Sequence, residues 1–286
     1  MSQPLAVYHP GSIDDALAIL TELGDTAKVV AGSTALTIML RQGLIEPQAL
    51  VSIASIPGLA TIAIDGDELV LGALVRHRDV ETSPLVQAGW PVLATTFGLV
   101  ANVRVRNAAT VGGVLAESDY ASDPPAVFVA LDAAVEVTGP SGRRSVPAAE
   151  FFVAFYETVL AGDELVTAVR VPRLPAGARA VYEKFVTRSS EDRPCVGVAA
   201  VVGLDKGRVT DLRVCVGAAA ETPQRFPEIE ALARGTTFDG TLVSTIADRY
   251  ADAIETLDDM RGSAWYRTEM VRVWVRRALE RAAGEG

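Results

Sequence analysis

The sequence predicts an α+β protein, and three observations carry that expectation. Over about the first 55 residues, short β-rich runs alternate with an amphipathic helix, the rhythm of a small α/β unit. Pro172 to Gly177, reading PRLPAG, is a Pro/Gly-rich break. Beyond it, three apolar runs are joined by short turns and followed by helical segments, which predicts an antiparallel sheet with helices gathered after it.

The elements follow in order. Leu5 to Tyr8 reads as a short strand ended by His9-Pro10-Gly11. Ser12 and Asp15 make a capping-box-like helix start, and Ile13, Ala16, Leu17, Ile19, Leu20 and Leu23 supply one apolar face up to Gly24. Ala27 to Val30 is β-rich and feeds Ala31-Gly32-Ser33-Thr34. Ala35 to Arg41 then reads as a helix and Ala49 to Ile53 as the next strand. Leu59 to Ile64 and Glu68 to Leu71 flank Asp65-Gly66-Asp67, a hairpin signal. Pro84 to Val100 is largely helical, interrupted at Gly89, Pro91 and Gly98. Ala133 to Thr138 and Arg144 to Val146 flank a GPSGR turn, a second hairpin; Leu165 to Val171 is a strand. After the break, the spacing predicts strands over Ala180 to Thr187, Cys195 to Leu204 and Val209 to Gly217. Helices follow over Pro227 to Arg234, Leu242 to Leu257 and Ala264 to Ala283. In the last of these, Tyr266, Met270, Trp274 and Ala278 are expected to face the core, with the arginines solvated.

Composition narrows the function. A net charge of −10 and a pI of about 4.8, with no basic block, argue against binding nucleic acid. The two cysteines, Cys195 and Cys215, each sit in an apolar run and read as buried free thiols of a reducing compartment. No CxxC is present to begin an iron–sulfur site, and two histidines cannot build a three-histidine metal site. No apolar run reaches the roughly 18 residues that span a bilayer. MSQPLAVYHPG lacks the basic region and apolar core of a signal peptide. These readings make the cytoplasm the expected compartment.

Two glycine-containing stretches carry the chemistry. Asn107 to Leu131 opens with small residues, is expected to turn at Gly112-Gly113, and enters a helix at Ser122-Asp123-Pro124-Pro125, where Asp123 reads as an N-cap before an N1 proline. Paired glycines allow positive φ and remove Cβ atoms, so backbone can lie against a ligand. Free N–H groups at the helix start would suit an anion. The second stretch, VVAGSTAL, joins a strand to a helix, and its N–H groups with the Ser33 and Thr34 hydroxyls could cradle a pyrophosphate. It is neither a P-loop nor a GxGxxG fingerprint, and alone it also fits an ordinary strand–helix turn. His77 is either a ligand contact or, with no catalytic set around it, a surface or satisfied histidine.

Taken together, these stretches resemble one family. VVAGSTAL is similar to the first flavin loop of the FAD-binding (medium) subunits of molybdenum hydroxylases, the group of xanthine dehydrogenase, carbon monoxide dehydrogenase and nicotine dehydrogenase. Arg106 to Gly113, RNAATVGG, resembles their second flavin loop, and Ala121-Ser122-Asp123-Pro124-Pro125 stands at their Ala-Ala-Asp-x-Pro segment. Gly162 to Val166, Glu183-Lys184-Phe185, Arg261 to Arg267 and Val275 to Leu279 match further positions, in the family's order along almost the whole chain.

The resemblance implies a two-subdomain α/β FAD-binding domain of the vanillyl-alcohol-oxidase-like type over residues 1–175, divided near residue 55, and a C-terminal flavoprotein domain over 176–286 with a three-stranded antiparallel sheet and helices. It implies FAD contacts at Val30, Ala31, Gly32, Ser33, Thr34, Ala35 and Leu36, at Val100 and Ala101, and at Thr110, Gly113 and Asp123. Leu165 is implied as an apolar flavin contact and Lys184 as a basic one. The pyrophosphate would lie between the two loops. Asp123 as a helix cap and Lys184 as a strand-edge lysine remain alternative roles. No catalytic residue and no metal ligand is implied on this chain. Electrons would arrive from [2Fe–2S] clusters on a small partner subunit, after hydroxylation at a molybdopterin centre on a large one. The assembly implied is a dimer of heterotrimers.

Several residues depart from the family pattern. Ser33 replaces the second glycine of Ala-Gly-Gly, Val114 a common asparagine, and Glu117-Ser118-Asp119 the usual His-x-Asp. Arg193, after Asp192, stands where some relatives carry an aromatic near the flavin. Neither glycine loop contains histidine or cysteine, so the FAD is expected to be non-covalent. Two other readings stay open: a stand-alone FAD-dependent oxidoreductase with its own small organic substrate, and a flavin-free scaffold.

Overall fold

The computed structural model describes residues 5–284; residues 1–4 and 285–286, and with them part of the stretch behind the signal-peptide reading, lie outside the described residues. The first unit is β1 (Ala6–Tyr8), α1 (Ile13–Leu23), β2 (Ala27–Val30), α2 (Leu36–Arg41) and β3 (Ala49–Ser52). Its strands form a parallel sheet in the order β1-β3-β2. Ser12 caps α1 by accepting from the Asp15 N–H at 3.1 Å, and Ala16, Leu17 and Leu20 bury themselves with Ala27, Ala49 and Val51. The parallel pairing sends both the β2 and β3 ends toward one edge, where the loop after Val30 emerges.

The second unit opens with the hairpin β4 (Ile62–Asp65) and β5 (Glu68–Gly72). Six short helices follow: α3 (His77–Thr82), α4 (Pro84–Gly89), α5 (Pro91–Gly98), α6 (Val103–Arg106), α7 (Val111–Glu117) and α8 (Pro124–Ala130). Next come the hairpin β6 (Ala134–Gly139) and β7 (Gly142–Pro147), α9 (Ala148–Phe151), and the small pair β8 (Phe152–Ala154) and β9 (Glu157–Thr158). The strand β10 (Leu165–Pro172) then inserts between the two hairpins, giving one antiparallel sheet β4-β5-β10-β6-β7. Each hairpin alone would leave an open edge, and β10 pairs with both. Leu69, Leu71, Val135, Val137 and Val169 from the sheet pack with Val80, Leu93, Phe97 and Phe128 from the helices.

The third unit is the antiparallel sheet β11 (Ala178–Phe185), β12 (Val196–Asp205) and β13 (Arg208–Gly217), followed by α10 (Pro227–Glu230), α11 (Gly240–Ala253) and α12 (Ala264–Ala283). The α+β class, with its three-stranded antiparallel sheet and C-terminal helices, is as expected. This sheet is covered on both faces. Val196, Val198, Ala200 and Val202 pack in the third core with α11 and α12, whereas Ala199 and Val201 pack in the second core with α8. Cys195, just before β12, lies in the third core, and Cys215 of β13 lies in the second, both as free thiols.

The face expected for α12 does pack on the core, but one of its arginines does too. Its fully buried residues are Arg267, Val271, Val275, Ala278, Leu279 and Ala282; Tyr266, Met270 and Trp274 are half-buried beside them. Arg267, expected in solvent, is 0% exposed. Its guanidinium donates to the Ala218 carbonyl at 3.0 Å and to Asp259 at 2.5 Å, so the buried charge is paired. Asp259 also accepts from the Tyr120 hydroxyl at 2.7 Å, which ties this corner to the segment between α7 and α8.

Candidate functional site

The loop Ala31–Ala35 leaves β2 and enters α2. Among the described residues, the N–H groups of Gly32, Ser33, Thr34, Ala35 and Leu36 make no hydrogen bond to protein. Five successive unpaired donors at a helix entry have the chemistry to receive an anion. Ser33 adopts a left-handed φ of 58°, a conformation that costs a non-glycine residue about 1–2 kcal/mol. Its hydroxyl is 2.8 Å from the Thr37 hydroxyl, an arrangement in which one of the two protons stays free to donate. The serine in place of the family's second glycine thus sits where positive φ is required.

Gly32 packs directly on the second loop. A Cβ there would overlap the Ala108 carbonyl oxygen and lie 2.8 Å from its carbon and 3.1 Å from Ala109 Cα. The two glycine stretches are therefore in backbone contact.

The Gly112-Gly113 turn is corrected: both residues lie inside α7, and neither has positive φ. Their value is the missing Cβ. At Gly112 a Cβ would come 2.6 Å from that of Ala73, so glycine lets the helix sit on the strand end. Most donors of this loop are already used: Val111 N–H to Val75 O at 2.9 Å, Gly112 to Ala73 O at 2.8 Å, Val114 to Thr110 O at 3.1 Å. Gly113 N–H goes to the Thr110 hydroxyl at 3.2 Å, the N-cap bond of α7. The first loop thus offers free donors, and the second offers shape.

Asp123 is not an N-cap, a second correction. It has helical φ and ψ and no side-chain cap bond, and Pro124 and Pro125 remove two N–H groups from a helix whose residues are all buried. Its carboxylate, 4% exposed, instead accepts from the Tyr182 hydroxyl at 2.8 Å and from Lys184 Nζ at 2.9 Å. Burial pushes this carboxyl up from its ordinary value, and the Lys184 ammonium and the bonds from Lys184 and Tyr182 pull it back. Lys184 also donates to the Leu99 carbonyl at 2.9 Å, so it is no free strand-edge lysine.

That bond leads to the remaining expected contacts. Val100 and Ala101 follow Leu99, and Ala101 has φ 43°. Arg106 Nη1 donates to both their carbonyls, at 3.0 and 2.9 Å, while its Nε pairs with Glu81 at 2.9 Å. The segment is pinned by Lys184 on one side and Arg106 on the other. Leu165, at the start of β10, is 3% exposed and packs into the first core with Leu59 and Leu74, so it presents little surface to a ligand.

Sequence reasoning missed the clamping roles of Arg106, Tyr182 and Arg193. Tyr182 could have been found, since it lies two residues from Lys184 on the same strand face. Arg193 Nε lies 2.6 Å from Asp119 Oδ2, an ion pair without hydrogen-bond alignment, and carries a charge from the third unit to the end of α7.

His77 is a core histidine with one of its two ring nitrogens bonded. It is 2% exposed, its Nε2 is 3.2 Å from Thr110 O, and its Nδ1 has no partner. The carbonyl partner fixes Nε2 as the protonated nitrogen. Burial lowers its pKa from 6.5 to about 4. Between those values the unfolded chain binds a proton that the folded chain refuses. Stability from this group is therefore whole above pH 6.5 and lost as pH falls toward 4, amounting to about 3 kcal/mol. In His77→Gln, urea unfolding across that window should show a correspondingly flatter acid loss.

Comparison with known proteins follows the same lines. The family described as the FAD binding domain in molybdopterin dehydrogenase matches residues 3–174, and the CO dehydrogenase flavoprotein C-terminal domain matches residues 180–282. The chain is 35% identical to the carbon monoxide dehydrogenase medium chain of Hydrogenophaga pseudoflava, covering 99% of this chain and 98% of that one. It is 33% identical to the nicotine 6-hydroxylase medium subunit of Paenarthrobacter nicotinovorans, covering 99% of each. The solved carbon monoxide dehydrogenase from Hydrogenophaga pseudoflava, which lacks the Mo-pyranopterin moiety, superimposes with a TM-score of 0.96 at 36% identity over 100% of this chain and 99% of that one.

Proposed function

This chain belongs to the FAD-binding medium subunits of the molybdenum hydroxylases, and from that premise we propose how its residues serve the flavin. It is an FAD-binding electron-transfer subunit, the flavoprotein component of an oxidoreductase complex, whose molybdopterin and [2Fe–2S] centres belong to partner subunits. Bound FAD supplies the electron chemistry. The protein's own residues bind, orient and enclose it.

The observation that carries the site reading is the run of unpaired N–H groups from Gly32 to Leu36. In this reading Val30 to Leu36 hold the pyrophosphate, with the Ser33 and Thr34 hydroxyls beside it. Thr110 and Gly113 form the opposing wall, the carbonyl-pinned Val100–Ala101 segment borders the cleft, and Leu165 supports it from the core. Asp123 and Lys184 act by fixing Leu99 and so the segment after it. The chain divides into an FAD domain, residues 1–175, and a C-terminal domain, 176–286; the change of sheet between β10 and β11 supports this division.

Large molybdopterin and small [2Fe–2S] partners, arranged as a dimer of heterotrimers in the cytoplasm, complete the proposal. Its free, buried thiols suit a reducing compartment. Among the described residues no helix is long and apolar enough to cross a membrane.

Absorption of the purified chain tests the reading. The expected result is a flavin spectrum whose colour passes entirely to the supernatant on acid precipitation. It should bleach with a reduced [2Fe–2S] partner but not with small organic substrates alone. Bleaching by such a substrate without partners would favour a self-sufficient oxidoreductase.

A further inference from the structure

The end of α7 carries a group of charges that flavin binding leaves without a role. Gly113 and Glu117 are four residues apart and so share one face of the helix. Both are half-buried, whereas Val111, Gly112, Val114 and Leu115 are buried in the core. The face that Gly113 leaves open for a ligand thus ends at the Glu117 carboxyl.

Three elements bring groups to this end of α7. From its own segment comes Asp119, 3% exposed, with one oxygen accepting from the Ala121 N–H at 3.0 Å. From the β11–β12 connection comes Arg193, with Nε 2.6 Å from the other Asp119 oxygen and a half-exposed side chain. From the β8–β9 hairpin comes Tyr156, whose N–H donates to Ser118 O at 3.0 Å. The Ser118 hydroxyl in turn donates to Glu157 O at 3.1 Å, which ties the hairpin to the helix end. Tyr120 lies beside this group, its ring edge-on to Phe155 with centroids 5.1 Å apart. Burial first, and then the Asp119 charge, raise the Glu117 carboxyl to about 7, while Arg193 opposes the rise. Glu117 is therefore an acid poised to change protonation at neutral pH, with one anion and one cation as its charged neighbours.

We propose that Glu117 is the proton-exchanging residue of the flavin site, taking up a proton when the cofactor lying against Gly113 is reduced and releasing it on reoxidation. The inference rests on the reading that FAD lies against Gly32–Leu36 and Gly113. Bound FAD would supply the two-electron chemistry, drawing on the partner's [2Fe–2S] clusters with one proton of its own, which would leave one added negative charge in the cleft. A second proton converts the Glu117 carboxylate to the acid, offsetting the negative charge gained in the cleft. When the external acceptor removes two electrons, both protons return to solvent, Glu117 losing its own through its exposed side.

The test is the midpoint potential of the FAD-loaded full chain across neutral pH, in the wild type and in Glu117→Gln. Below about pH 7 both carry a neutral side chain, and the two potentials should run parallel. Above it the wild-type chain takes up one more proton per two electrons. Its potential should then fall faster, by tenfold in the equilibrium constant or about 30 mV per pH unit. Arg193→Gln should move that divergence to higher pH, because removing the cation makes the carboxylate harder to form. As a readout needing no variant, the reduced-minus-oxidised infrared difference spectrum of the wild type above pH 7 should gain a protonated-carboxyl band. Parallel potentials at every pH with FAD retained, or no such band, overturn the role of Glu117 and leave the site reading standing. Undiminished FAD content in Gly32→Val would instead overturn the site reading beneath it.

Discussion

Gly32→Val should remove FAD from the purified chain and lower its stability by several kcal/mol; Gly32→Ala should do so to a lesser degree. The Cβ of either variant would overlap the Ala108 carbonyl oxygen and stand 2.8 Å from its carbon. Both sides of this contact are backbone, so no rotamer relieves it. Ala108 itself is fixed, its N–H on Val105 O at 3.0 Å and the next residue's carbonyl taking the His77 N–H at 2.9 Å. Overpacking typically costs about 1–3 kcal/mol and more where the neighbours cannot yield, which places this site at or beyond the top of that range. The loop must move away, and the unpaired donors from Gly32 to Leu36 move with it. Gly113→Ala is the control for stability alone, since Gly113 itself faces the cofactor in the proposed site. Its Cβ would meet only the Thr110 hydroxyl, 2.8 Å away, which can rotate. The cost there is the lost N-cap bond, about 1 kcal/mol. Urea midpoints and flavin absorbance per chain measure both quantities. Equal stability and flavin content in Gly32→Ala and wild type would refute the shared cleft.

The order of elements was legible because it is written in local patterns. The α12 span, Ala264–Ala283, the hairpins and the antiparallel third sheet all follow from periodicity and turn residues acting over short distances. What the sequence hid was decided by long-range contact. The insertion of β10 between two hairpins has no local signature, since Leu165–Pro172 reads as a strand wherever it pairs. Asp123 before two prolines has the form of a cap, but Tyr182 and Lys184, some 60 residues later, claim its oxygens. Gly112 and Gly113 look like a turn, yet both lie in a helix, where Gly112 is pressed against Ala73. The positions needing left-handed backbone, Ser33 and Ala101, are not glycines at all. Resemblance to the family nominated residues for the proposed cleft; it could not say which ones would meet the cofactor and which hold others in place.

The Asp123–Lys184 pair separates those two roles. Asp123→Ala should destabilise the chain by about 3–5 kcal/mol, because it leaves the Lys184 ammonium, its side chain 5% exposed, with only the Leu99 carbonyl. Lys184→Met should cost a comparable amount by leaving the carboxylate to Tyr182 alone. In the double variant neither charge remains, so the cost should not be the sum. It should fall to about 1–3 kcal/mol, the penalty for the stranded Tyr182 hydroxyl, and adding Tyr182→Phe should recover part of that. Flavin affinity should behave differently. Lys184 spends its ammonium on Asp123 and Leu99, so its action on FAD runs through the position of Val100 and Ala101. The double and triple variants regain stability without regaining the Leu99 bond, so their FAD dissociation constants should stay raised as in Lys184→Met. Recovery of affinity alongside stability would mean that Leu99 needs no such anchor. A Lys184→Met chain with normal stability and lost affinity would instead make Lys184 a direct contact of the cofactor.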